Sequence, residues 1–160
     1  MSRPPAADAK AIVVGVDHSD GARAALRFAL EEATLRGVPL RAVHAWQFDS
    51  FGLAGIEGYV PASGADLSDL HDAAGAALDA TLRDVLPDLG NVEIERRVVE
   101  GAPAAVLVEA SQDAELLVVG SRGHGGFAGL LLGSVSQQCA NHAACPVVIV
   151  RGRAPRMRAA

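Results

Sequence analysis

The sequence predicts an α/β protein, in which a parallel sheet is covered by helices on both faces. Apolar runs of strand length recur along the 160 residues and alternate with segments of helical periodicity. Such alternation is typical of a parallel sheet, because each helix carries the chain back across the sheet. The length is that of one domain. A composition of 50% hydrophobic and 21% charged residues indicates a globular chain rather than a disordered one.

The first strand and helix are the clearest elements. Residues 11–16, AIVVGV, form a continuous apolar run, which predicts a strand buried on both faces. Ser19 or Asp20 can then cap a helix by accepting a bond from its free N–H groups. Apolar residues at helical spacing extend this helix over about 21–36, and Gly37 ends it.

A second strand and helix follow, separated by a long connection. Residues 40–46, LRAVHAW, predict the strand, and residues 47–65 form a Gly- and Ser-rich loop of the length usually found in functional or mobile segments. The helix is predicted over Ser68–Leu86 and ends at Pro87. Gly75 inside it costs about 1 kcal/mol relative to alanine.

The second half of the chain predicts three more strands and two more helices. Residues 92–99 alternate between apolar and charged side chains, which is typical of a half-solvated strand at a sheet edge. A short helix is expected from Pro103 to about Ser111, since proline suits the first helical turn. A strand at Leu116–Val119, a helix at Ser134–Ala143 and a strand at Val147–Val150 complete the order.

The charges are divided unevenly along the chain. The net charge is −5, yet residues 116–160 contain no acid and five arginines. An acid-free segment can hold an anion without repulsion. The overall negative charge argues against a nucleic-acid-binding protein.

The N-terminus, the apolar runs and the cysteines indicate where in the cell the protein is expected. No apolar run approaches the about 20 residues that span a bilayer, and the N-terminus MSRPPAADAK has no signal-peptide core. Cys139 and Cys145 are too few for a disulfide framework or a zinc site. We therefore expect a cytoplasmic protein with no membrane-spanning segment and no metal site built from its own side chains. Residues 1–9 are predicted to be a flexible N-terminus, and residues 152–160 a basic tail.

The candidate functional segment is the glycine-rich loop 120–134, GSRGHGGFAGLLLGS. It follows an apolar strand and precedes a helix, where backbone N–H groups and the helix dipole favour an anion. Arg122 adds a guanidinium suited to phosphate, and the hydroxyls of Ser134 and Ser136 are potential phosphate donors. The alternative is that the glycines serve only a tight turn between the strand and the helix. The P-loop pattern and the dinucleotide GxGxxG pattern are both absent.

The loop resembles a known nucleotide-binding signature. Gly120, Gly123, Gly133 and Ser134 follow the spacing Gly-x2-Gly-x9-Gly-Ser. This is similar to the signature of the universal stress protein family, in its ATP-binding branch. Segments at 14–19, 43–45, 100–103 and 145–150 also match, so the resemblance covers about residues 10–151. It implies a Rossmann-like three-layer sandwich with a five-stranded parallel sheet in the order 3-2-1-4-5, and it makes 92–99 an edge strand.

The resemblance also implies which residues hold the nucleotide. Asp17 accepts from the ribose or the adenine edge, or else only caps the helix. Ala45 meets adenine through its backbone, with Val43 as the nearby apolar wall, or else Ala45 is only a core residue. His124 donates to a phosphate, or else is an exposed loop histidine. ATP would be held with Mg²⁺ or Mn²⁺ through its phosphates. The implied nucleotide-binding residues are Gly15, Val16, Asp17, Val43, Ala45, Gly120, Ser121, Arg122, Gly123, His124, Gly125, Gly126, Gly133, Ser134, Val135 and Ser136.

The implied function is a nucleotide-responsive regulatory module in stress adaptation, with an unidentified downstream protein partner. The alternatives are a slow ATPase, a carrier of cyclic AMP or AMP, and a scaffold without a ligand. No general base stands beside the loop, so an enzyme with more than weak ATP hydrolysis is not expected. The strand order places Val147, Val148, Ile149 and Val150 at an uncharged sheet edge, which predicts a homodimer paired through this strand.

Overall fold

The computed structural model describes residues 10–47, 67–86, 90–122 and 132–152. Within them, five strands form one parallel sheet in the order β3-β2-β1-β4-β5. The α/β class and the strand order 3-2-1-4-5 are confirmed. The elements are β1 (Ala11–Gly15), α1 (Asp20–Arg36), β2 (Leu40–Trp46), α2 (Leu67–Val85), β3 (Ile94–Glu100), α3 (Pro103–Ala110), β4 (Ala114–Gly120), α4 (Ser134–His142) and β5 (Val147–Val150).

The predicted boundaries shift by one or two residues at several ends. β1 ends at Gly15 rather than Val16, and β3 starts at Ile94 rather than Val92. β4 is longer than the apolar run that predicted it, and a short 3-10 turn, Ser111–Asp113, follows α3. The loop predicted after Gln47, and both predicted tails apart from Gly152, lie outside the described residues.

Two apolar layers hold the helices against the sheet. α1 and α2 cover one face, where Leu26 and Leu78 pack with Ile12. α3 and α4 cover the other face, where Leu107 packs with Val13. The neighbouring residues of β1 thus belong to opposite layers, as side chains of a strand alternate between faces. Each fully buried side chain of this kind stabilises the fold by about 1.5–3 kcal/mol.

Helix α1 begins and ends as the sequence predicts. Ser19 is the N-cap, and its Oγ accepts from the backbone N–H of Ala22 at 3.1 Å. Gly37 closes the helix in the left-handed conformation, with φ of 65°.

The start of α1 approaches the end of β4 backbone to backbone. A Cβ placed on Gly120 would lie 2.7 Å from the carbonyl carbon of Gly21 and 3.1 Å from the amide nitrogen of Ala22. A Cβ on Gly21 would lie 2.8 Å from the carbonyl oxygen of Arg122. Both glycines are therefore required by packing, since a side chain at either position would separate the two segments.

One buried charge lies near the amino end of the sheet. Arg41 is 7% exposed and donates to Glu95 at 2.7 Å and to Asp113 at 2.9 Å. Burial by itself lowers the pKa of the Arg41 guanidinium, but the two carboxylates outweigh it and the pKa is raised. This ion cluster joins β2, β3 and the 3-10 turn at the end of the sheet opposite the glycine-rich loop.

The two outer strands differ in character. The predicted edge position of 92–99 is confirmed, because β3 lies at one end of the sheet and carries the exposed Arg96 and Arg97. β5 forms the other edge and consists of four half-buried apolar residues.

Gly120→Ala is expected to destabilise the fold by about 1–3 kcal/mol, because the added methyl group meets fixed backbone rather than a movable side chain. The measurement is the free energy of unfolding in urea. Gly75→Ala is the matched control, since a Cβ there would lie 3.8 Å from Val98 Cγ2, at ordinary van der Waals distance. The control should be stabilised by up to about 1 kcal/mol through helix propensity. Equal stability of the two variants would contradict the close approach.

Candidate functional site

The candidate site lies at the carboxyl edge of β1 and β4, which are neighbours in the sheet. The chain leaves β1 toward β2 on one side and leaves β4 toward β5 on the other. Ligands of open α/β sheets bind at such a switch point, where the diverging connections leave a crevice. The turn after β1 and the glycine-rich loop after β4 both begin there.

The turn after β1 is held by its own side chains. Asp17 Oδ1 accepts from the backbone N–H of Ser19 at 2.9 Å and also from the Ser19 hydroxyl. Ser19 in turn caps α1. Asp17 therefore supports the helix cap through one carboxylate oxygen, while its side chain stays half-buried at the crevice. The helix cap is thus Ser19 rather than Asp17, and the support that Asp17 gives to Ser19 is compatible with its predicted ligand role.

The end of β2 forms the neighbouring wall. Val43 is 2% exposed and belongs to the core beside α3, while Ala45 is half-buried. The N–H of Val16 donates to the Val43 carbonyl at 2.9 Å. The Val16 carbonyl is 2.8 Å from Nδ1 of His44. Both backbone groups of Val16 are thus fixed by β2, one through the main chain and one through an imidazole.

The glycine-rich loop has a closed neck. The N–H of Gly133 donates to the Ser121 carbonyl at 2.7 Å. The Ser136 hydroxyl, in a side chain 2% exposed, lies 3.1 Å from the Ser121 carbonyl and 3.0 Å from the Gly133 carbonyl. Ser136 was expected to donate to phosphate. The structure instead directs its hydroxyl to these two backbone carbonyls, so it holds the loop ends together.

The first turn of α4 opens toward the same edge. Gly133 is the N-cap and supplies no side-chain bond to the helix. The N–H groups of a first helical turn lack partners within the helix and attract anions. Ser134 is exposed there, and Val135 packs against the layer that contains α4. Arg122, at the other end of the loop, is also exposed.

The structure brings together much, but not all, of the predicted set. The turn after β1, the end of β2 and the loop neck are all at one edge of the sheet. Gly123, His124, Gly125 and Gly126 lie outside the described residues, so their assignment remains a prediction.

Sequence reasoning missed two features of this edge. The packing role of Gly21 was not foreseen, although a glycine in the first turn of a helix is an available signal. The bond from His44 to Val16 was not foreseen either. His44 is half-buried and hydrogen-bonded at this position.

A separate open groove of about 660 Å³ lies between α2 and β3. The ion pair between Asp79 and Arg96 crosses it, and none of the predicted site residues lines it. Trp46 stands near this groove, with its ring 6.2 Å from that of His71. The Trp46 indole N–H is buried and has no partner in the described part of the chain. The groove is distinct from the crevice at β1 and β4.

The two thiols do not form a reactive centre. Burial raises the pKa of the Cys139 thiol to about 11 and also raises the pKa of Cys145. Both are therefore neutral near pH 7, where a thiolate would be needed for nucleophilic or redox chemistry. No cluster of three metal-ligating side chains occurs within the described ranges. No helix among the residues placed by the structure is both long and apolar enough to cross a membrane.

Solved structures share this fold. A universal stress protein from Lactobacillus plantarum superposes with a TM-score of 0.70 at 22% identity, covering 89% of this chain and 97% of that one. A universal stress protein in complex with cAMP gives a TM-score of 0.61 at 28% identity, covering 90% and 98%. One from Archaeoglobus fulgidus in complex with dAMP gives 0.57 at 27% identity, covering 89% and 98%.

Sequence comparison points to the same group. A universal stress protein of Mycolicibacterium smegmatis is 37% identical over 143 residues, covering 89% of this chain and 46% of the relative. One from Mycobacterium tuberculosis is 38% identical over 148 residues, covering 88% and 44%. The chain thus spans less than half the length of these curated relatives. The model of the universal stress protein family matches residues 9–151. The chain therefore belongs to the universal stress protein family.

Proposed function

We propose that this chain binds ATP at the carboxyl edge of β1, β2 and β4 and acts as a nucleotide-responsive regulatory module in stress adaptation. The main observation in support is that three segments converge at the switch point. They are the Asp17 turn, the end of β2 and the neck of the glycine-rich loop. Asp17 would accept from the ribose, and Ala45 would meet the adenine. The loop and the first turn of α4 would hold the phosphates.

The relatives favour an adenine nucleotide. Two similar solved structures are complexes with cAMP and with dAMP. The full Gly-x2-Gly-x9-Gly-Ser spacing offers more anion-binding backbone than one phosphate requires, which favours ATP within this class. The cAMP complex supports cyclic AMP or AMP as the second candidate.

The phosphates would carry their own divalent cation. Residues 116–160 contain no carboxylate, so Mg²⁺ or Mn²⁺ would be bound mainly through phosphate oxygens and water. When bound, the cation would neutralise phosphate charge beside the guanidinium of Arg122. The protein groups would position the nucleotide rather than attack it.

The first test is mass spectrometry of the nucleotide released when the freshly purified protein is denatured, together with calorimetry of added ATP and Mg²⁺. We expect ATP at about one per chain, or a single binding site in calorimetry. AMP or cyclic AMP alone would favour the second candidate. Absence of binding in both experiments would contradict the proposal.

Ser134→Ala is expected to weaken ATP binding by about tenfold, the usual loss for one hydrogen bond to a charged group. Binding of adenosine should not change, because Ser134 would contact only phosphate. Ser134 is exposed and the helix cap is Gly133, so the melting temperature should also be retained. Ser68→Ala, at an exposed position of α2, is the control. Equal weakening of ATP and adenosine would contradict the phosphate assignment.

Asp17→Asn is expected to weaken ATP and adenosine alike, by roughly fivefold to tenfold. Asparagine keeps an Oδ1 acceptor for Ser19 and so preserves the turn, but it removes the carboxylate charge that favours a ribose donor. Calorimetry with both ligands measures the effect. An unchanged affinity for adenosine would leave Asp17 only its structural role of holding Ser19.

We also propose that two chains pair through β5. The Pro146 and Val150 carbonyls accept from Leu117 and Ser121 on the β4 side. Alternate residues of a parallel strand face the same neighbour. Val147 and Ile149 therefore direct their backbone groups to the open edge. The same segment of a second chain would cover this edge by two-fold pairing.

Ile149→Pro should convert the dimer to a monomer, because it removes an outward N–H without removing a bond to β4. Light scattering gives the mass, and thermal unfolding shows whether the monomer remains folded. Introducing a charge at Val148 would be less specific, since its side chain packs in the layer beneath α1. If Ile149→Pro does not fold, analytical ultracentrifugation of the wild-type chain over a range of concentrations determines whether it dimerises. A monomer at all concentrations would contradict the interface.

A further inference from the structure

We infer that His44 determines the selectivity of this site for adenine, by taking the hydrogen bond that would otherwise occupy the Ala45 amide. The inference rests on the proposed function, because it concerns the wall against which the base would lie. It adds a residue that touches no part of the nucleotide and acts through the backbone of β1 and β2.

The hydrogen-bond ladder between β1 and β2 is the first step. Its last rung in the described residues runs from the Val16 N–H to the Val43 carbonyl, at 2.9 Å. In a parallel ladder the next rung would run from the Ala45 N–H back to the Val16 carbonyl. That carbonyl instead has Nδ1 of His44 at 2.8 Å, and the register of paired residues ends at Gly15 and Val43.

The chemistry of the contact fixes the tautomer. A carbonyl oxygen only accepts, so Nδ1 of His44 must carry the proton. The imidazole also lies beside a second ring, with the centroids of His18 and His44 5.6 Å apart.

The consequence for the ligand concerns the Ala45 amide. Odd-numbered residues of β2 face β1, as the Val43 carbonyl shows. The Ala45 N–H therefore points toward the end of β1, at the crevice, while the side chain of His44 bonds the acceptor opposite. An N–H at this place would donate to N1 of adenine. Hypoxanthine has a hydrogen on N1 and cannot accept there, so it would be rejected.

His44→Leu removes the Nδ1 donor at similar volume and allows the Ala45 N–H to pair with Val16. The measured quantity is the ratio of the Kd for IMP to the Kd for AMP, by calorimetry. We expect this ratio to fall by roughly fivefold relative to wild type, the usual value of one neutral hydrogen bond. A ratio that does not change would overturn the inference.

Three control variants distinguish this change in the ratio of Kd values from a general disruption of the site. His44→Asn carries an amide at the position of Nδ1 and should retain the wild-type ratio, whereas His44→Gln places its amide one atom further and should not. His71→Leu, which removes a histidine at the same end of β2, should leave the ratio unchanged. If His44→Leu does not fold, the Asn and Gln pair decides. Equal ratios for these two would overturn the inference.

The tautomer gives an independent readout. The imidazole ¹⁵N spectrum of the wild-type chain should show His44 protonated at Nδ1, and protonation at Nε2 alone would overturn the inference. Failure of the proposed function is distinguishable, because the wild-type chain would then bind neither AMP nor ATP. A wild-type chain that binds AMP, with a ratio insensitive to His44, would overturn the inference alone.

Discussion

The contact of Gly21 with Gly120 is the constraint on which the rest of the site depends. It joins the first turn of α1 to the last residue of β4 through main-chain atoms alone. Main-chain contacts vary less than side-chain contacts, because they have no rotamers to exchange. The contact therefore fixes the distance between the turn after β1 and the loop after β4, which are the two sides of the crevice.

Each side of the crevice is then held by a short local network. On the β1 side, Asp17 holds Ser19, which caps α1, and β2 holds both backbone groups of Val16. On the β4 side, Ser136 closes the neck of the glycine-rich loop from a buried position. A binding site gains affinity when its groups are ordered before the ligand arrives, since less entropy is then lost on binding. These networks supply that order before any ligand is bound.

The sequence predicted the elements better than the contacts between them. Continuous apolar runs located β1 and β5, and the cap residues Ser19 and Gly37 located α1, because these signals are local. The glycine spacing indicated the family and through it the strand order. The contact of Gly21 with Gly120 and the bond of His44 to Val16 join residues far apart in the chain. Such pairs depend on the tertiary packing, which no local periodicity encodes.

The glycine signature itself combines two physical requirements. Gly120 belongs to the spacing that resembles a phosphate-binding loop, yet its missing side chain is already required by the backbone of Gly21. Ser136, which follows the signature, is already required by the loop neck. A match to this signature at Gly120 is therefore evidence for the fold before it is evidence for a ligand, and the same holds for the neighbouring Ser136. A signature residue without a packing role can test ligand binding independently of the fold. The exposed Ser134 is the clearest such residue.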